Sequence, residues 1–155
     1  MQRNGWRDRA RAYATGMCPE PREVCEFAFP GPLRDRLVGA VLRGEKTATS
    51  SLLVEWEVEQ APLWALGDRQ TVIDSDGRPV GVIETLSVEV IRLGEADLGL
   101  ALAEGEGFES VAQWREDHEH FWTQEVLPTL PPGAAGPLTD ETQVVVQWFR
   151  LAADG

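Results

Sequence analysis

Hydrophobic and polar positions change period several times along the chain, and each change marks an element. In PLRDRLVGAVLRG, residues 32 to 44, Leu33, Leu37, Ala40 and Val41 recur on one helical face. Pro32 suits a first turn and Gly44 an end, so this stretch predicts a helix. The period then shortens. In LVEWEVE, residues 53 to 59, Val54, Trp56 and Val58 alternate with Glu55, Glu57 and Glu59, which predicts a half-buried strand with an acidic outer face. Residues 69 to 93 read as two strands about the turn SDGR. A short helix over DLGLALAE leads into the loop EGEGF, residues 104 to 108.

The strongest helix signal is SVAQWREDHEHFWTQEV, residues 110 to 126. Ser110 with Gln113 three residues on forms a capping box, and Val111, Trp114, His118, Phe121 and Trp122 make one stripe. PTLPPGAAGPLTD is a proline- and glycine-rich loop, long enough to be mobile, and TQVVVQWFRLA closes the chain as a strand. About five strands with helices between them predict an α+β domain with a curled or closed sheet.

At 155 residues and 43% hydrophobic, the chain can bury one proper core. Residues 1 to 26 stand apart as an arm, with five of the thirteen arginines against four acids. The domain proper is expected over residues 27 to 155. A net charge of −12 opposes the electrostatic footprint of duplex DNA or RNA binding. A small ligand or a short single strand meets no such objection. Cys18 and Cys25 follow no secretory apolar run, and no stretch reaches membrane-spanning length. They read as free thiols in a cytoplasmic protein, and no second thiol or histidine pair completes a metal site around them.

Several chemistries can be set aside. Gly39 and Gly44, followed by Glu45 and Lys46, miss a phosphate-binding loop, because a glutamate intervenes and a helix precedes. His118 and His120 are two apart on a helix, on opposite faces, and cannot chelate together. His118 reads as a hydrogen-bonded histidine packed among aromatics ahead of a catalytic one, and His120 as solvated.

Lys46 is the only lysine, with Thr47, Thr49, Ser50 and Ser51 beside it. An amine freed of its proton can serve as a base or activate a hydroxyl; equally, a lysine near a helix C-terminus complements the helix dipole. Thr49 shares the lysine's side only if the segment turns, because residues three apart on an extended strand face opposite ways. Glu84 falls where alternation with Val82, Leu86, Val88 and Val90 demands an apolar side chain. A buried carboxylate there needs a partner, and Lys46 is the expected one. Glu106, between two glycines, is a second candidate acid. Glu104 reads as an ordinary loop acid.

GEKTAT after a helix, then EGEGF followed by WR, His118 and FW, resembles the ASCH domain family from about Leu33 to Leu151. The resemblance implies a PUA-like fold, a small β-barrel with helices at its rim, and a role in RNA or nucleoside metabolism. Some small members are amidohydrolases that remove the acyl group from N4-acylated cytidine, with a catalytic lysine, threonine and glutamate. Those positions match Lys46, Thr49 and Glu106. On that basis Lys46 takes the proton of Thr49, whose oxygen attacks the amide, and Glu106 serves the departing amine. Thr47, Ser50, Glu84, Trp114, His118 and Trp122 are the ligand-binding candidates, the tryptophans as base-stacking rings. The expected partner is a nucleoside or short single-stranded RNA, with neither duplex DNA nor membrane, and no cofactor is expected. A non-enzymatic RNA-binding module is one alternative. Another is a metal-dependent ribonuclease, with Glu104 and Glu106 holding a divalent ion.

Overall fold

The computed structural model describes residues 23 to 153 and the backbone of residues 2 and 3. Strand β1 (Gln2–Arg3) pairs antiparallel with β2 (Glu23–Phe27), and β2 runs parallel to β4 (Arg69–Ile73). From β4 the sheet continues antiparallel through β5 (Pro79–Arg92) and β6 (Gln143–Leu151) to β3 (Ala48–Leu52). Its order is β1-β2-β4-β5-β6-β3, and the five longer strands curl as a half-barrel with helices against it. Strand β2 begins at Glu23, so the boundary drawn at residues 26 and 27 falls inside it. Cys25 is buried in that strand, while Cys18 and most of the arm lie outside the described residues.

Among the described residues four α-helices accompany the sheet: α1 (Pro32–Leu42), α2 (Leu53–Glu59), α3 (Leu98–Ala103) and α4 (Val111–Phe121). Three lie where periodicity puts them. Ser110 caps α4 by accepting from Gln113 N, and Asp97 caps α3 by accepting from Leu100 N. Past Phe121 the chain widens into a π-turn over Trp122–Val126. No helix among the described residues is long and apolar enough to cross a membrane.

LVEWEVE is helix α2, not a strand. Only Trp56 is buried within it, Val58 is exposed, and Glu55 Oε2 accepts from Leu52 N at 3.0 Å to fix the first turn. Alternation of three apolar with acidic residues mimicked a strand, but one buried tryptophan sets the face. The strand stands one step earlier, in ATSSL. Every residue of β3 is buried, so no alternation marks it.

The two sheet faces carry different cores. Val144 and Val146 of β6 pack with Ala48, Leu52, Leu100, Trp114 and Trp122 on the α3–α4 face. On the α1–α2 face, Phe149 joins Phe27, Leu37, Val41, Val72 and Ile83, while Val145 joins Trp56 and Trp64.

Candidate active site

Two loops meet at the edge of the sheet. After α1, Gly44 adopts φ +74, and the amides of Glu45 and Lys46 both donate to Ala40 O, at 2.9 and 3.1 Å. Thr47 N then donates to Ala103 O at 2.7 Å, which ties the segment to the end of α3. From the other side comes EGEGF. Gly105 holds φ +66, and a Cβ there would stand 2.6 Å from both Cα and N of Lys46. Only glycine permits that approach. The two motifs are therefore pressed backbone to backbone.

Lys46 is buried. Its Nζ donates to Ala48 O at 2.9 Å and Glu104 O at 3.1 Å, stands 3.9 Å from Glu106 Oε2, and lies 5.8 Å from the centre of the Phe27 ring. Phe27 belongs to β2, so the curl of the sheet brings its far side to the lysine. The Glu106 side chain is 1% exposed, and neither carboxylate oxygen has a hydrogen-bond partner among the described residues.

Glu104 is no ordinary loop acid. It is completely buried, Ser50 Oγ donates to its Oε1 at 2.5 Å, and His118 Nε2 stands 2.6 Å from its Oε2. Burial opposes its ionisation, but the charges of His118 and Lys46 outweigh that and hold its carboxyl below the usual carboxylate range. His118 Nδ1 donates to Trp114 O at 2.8 Å, one turn back on α4. Trp114 stacks on the imidazole at 4.4 Å, and Trp122 meets it edge-on at 5.3 Å. Both indoles are buried, so they form the wall behind His118 and present no ring for base stacking. His120 is exposed.

Register separates the hydroxyls. Ser50 opposes Val146 and faces α3 and α4, whereas Thr49 opposes Gln147 and faces α1 and α2. Thr49 Oγ1 is buried without a hydrogen-bond partner among the described residues. Among the described residues Thr47 Oγ1 reaches only Ala103 O, at 3.5 Å.

Glu84 lies elsewhere, contrary to the alternation argument. Its cross-strand neighbours are Arg69 on β4 and Arg150 on β6, and their guanidinium groups reach its Oε2 at 3.6 and 3.2 Å. A bulge between Thr85 and Ser87 breaks the alternation, leaving Leu86 and Val90 largely exposed. The carboxylate is paired across the sheet surface, away from Lys46.

Glu104, Glu106 and His118 place one ligand atom each within 4.8 Å of one another. These are donors that zinc or manganese accepts. Two ligands of one ion at bonds of about 2.1 Å stand roughly 3 Å apart, however, wider than the 2.6 Å between Nε2 and Oε2. The lysine already supplies positive charge beside Glu106. The trio fits a metal only after opening and losing protons.

A curled α/β sheet with a buried lysine clamped between two loops defines a small half-barrel protein of PUA-like form. The chain belongs to the ASCH domain family, whose model, described as ASCH domain, matches residues 23–153. Among solved structures it is similar to an ASCH domain from Lactobacillus crispatus JV V101, at 23% identity and TM-score 0.72, over 96% of this chain and 94% of that one. It is equally similar to protein EF3133 from Enterococcus faecalis V583, at 23% identity and TM-score 0.72, over 96% of this chain and 85% of that one. No curated protein is significantly similar to the chain.

Proposed function

We propose that this ASCH domain protein acts in RNA or nucleoside metabolism as an amidohydrolase on N4-acylated cytidine or a related nucleoside. One observation carries the reading: the chain's only lysine is buried, with its amine facing a buried carboxylate that has no hydrogen-bond donor among the described residues. Arginine would suffice for charge alone. A lysine can also give up a proton.

Two N–H bonds of Lys46 are committed to Ala48 O and Glu104 O, so the remaining position on nitrogen is where a proton is exchanged. Passing that proton to Glu106 leaves a lone pair on the amine and an acid on the glutamate. Thr49 gives its hydroxyl proton to the amine as its oxygen attacks the acyl carbon. Among the described residues its hydroxyl has no competing hydrogen bond to break. When the carbon–nitrogen bond parts, Glu106 protonates the leaving amine. Water then hydrolyses the Thr49 ester and restores the enzyme. Glu104 holds the Lys46 amine by its carbonyl and is itself fixed by Ser50 and His118.

The grouping of Glu104, Glu106 and His118 favours a second reading, a metal-dependent ribonuclease on single-stranded RNA. One experiment decides between them. The protein is incubated with acylated nucleosides and short RNAs, with and without chelator, and products are read by mass spectrometry. Chelator-insensitive release of the free amine is the expected result. RNA cleavage that needs a divalent ion, with no amide hydrolysis, would replace this reading with the second.

A further inference from the structure

On the α1–α2 face of the sheet, a polar band divides two apolar clusters. Phe149, Phe27 and Ile83 lie on one side, and Val145, Trp56 and Trp64 on the other. Gln147 sits between Val145 and Phe149 on β6 and is completely buried. Its Nε2 donates to Gln70 Oε1 at 2.8 Å and to Thr85 Oγ1 at 2.9 Å, and both of those residues are buried too. Both N–H bonds are thereby spent. Its Oε1 has no partner among the described residues, which leaves a free acceptor.

Thr49 is directly opposite Gln147 in the β3–β6 register. Side chains of such a pair emerge on the same face, with Cβ atoms about 5 Å apart. Thr49 Oγ1 and Gln147 Oε1, both buried and without partners among the described residues, thus belong to neighbouring side chains on one face. Apolar residues there would join the flanking clusters into one core, and buried polar groups without partners oppose folding. A polar group placed between them would satisfy both.

We infer that Thr49 and Gln147 form a subsite for a secondary amide, with Gln147 Oε1 accepting the amide N–H while Thr49 Oγ1 faces the carbonyl carbon. Gln147 is then a specificity-determining residue. It selects amides that keep an N–H and rejects esters and N-alkylated amides, which offer no donor. This inference rests on the amidohydrolase reading for its chemistry but not for its test.

The test joins binding with turnover in the full chain. The Gln147 side-chain amide resonance is followed as N4-acetylcytidine or its N4-methyl derivative is added to Thr49→Ala, and hydrolysis of both is measured for the wild type and Gln147→Leu. The apolar variant should fold, since it extends the neighbouring clusters; Gln147→Met serves if it does not. Expected are a shift of the resonance with the N–H amide only, and a KM raised roughly tenfold in the variant with the preference over the N-methyl compound lost. A shift without wild-type hydrolysis would uphold the subsite while ending the amidohydrolase reading. Hydrolysis with KM and preference unchanged in the variant would overturn the subsite alone. If neither compound moves the resonance and only a trapped water contacts Gln147, the subsite is likewise overturned.

Discussion

Gly105 and Gly107 both hold positive φ, at +66 and +86, yet only the first meets an obstacle. Alanine at either position strains the backbone; at 105 its Cβ would also strike Lys46. Gly107→Ala should cost about 1 kcal/mol. Gly105→Ala should cost at least about 3 kcal/mol and separate EGEGF from the lysine loop. Urea denaturation of the two variants measures the difference, and equal losses would show that the close approach is unimportant. Glu104→Ala strands His118 and Ser50 and should cost on the order of 3–5 kcal/mol by the same assay. A loss below about 1 kcal/mol would mean the pair adds little. Lys46 and Glu106 were legible in the sequence because their motifs carry them. Glu104 was not. Acids at 104 and 106 look alike in a string, and only the fold shows that both side chains are buried.

Among elements, α1, α3 and α4 were readable from their apolar spacing, the hairpin from its turn, and the last strand from its run of apolar residues, which feeds cores on both faces. Strand β3 was hidden by burial on both sides, and α2 by an alternation that one tryptophan overrules. Glu84 shows a different limit: which residues stand beside it is fixed by register, and its arginine partners lie 15 and 66 positions away. Gln147 did carry a signal, as the polar residue within VVVQWF, though its neighbours did not. Helix α2 also makes a pH prediction. Burial pushes the Glu55 carboxyl up to about 7, opposed by the Leu52 N–H and helped by the charge of Glu59. The folded state therefore keeps this proton where the unfolded chain has lost it, so stability falls as pH rises from the ordinary glutamate value to about 7. Glu55→Gln removes that dependence. Its stability relative to wild type should be on the order of 1–3 kcal/mol better at pH 8 than at pH 4. Parallel pH–stability curves for the two proteins would contradict the assignment.

At the scale of the molecule, the half-barrel brings together groups that the sequence spreads from residue 27 to residue 118. β2, next to one edge, supplies the Phe27 ring, and the lysine loop leads into β3 at the other edge. Deletion of residues 1 to 22 keeps every element from β2 onward, so the shortened chain should still unfold cooperatively. Loss of a cooperative transition by circular dichroism would place the deleted segment in the core. With a net charge of −12, binding to long duplex nucleic acid should be weak at physiological salt, as a salt titration of binding would report. In the proposed reading, the site turns on one amine that gives up a proton. The direct measurement is hydrolysis of an N4-acylated cytidine by wild type, Lys46→Arg and Lys46→Ala, each confirmed to be folded. Arginine keeps the charge but has no usable lone pair, so both variants should lose at least about a thousandfold in kcat/KM. An arginine variant that hydrolyses the amide at the wild-type rate would contradict the account.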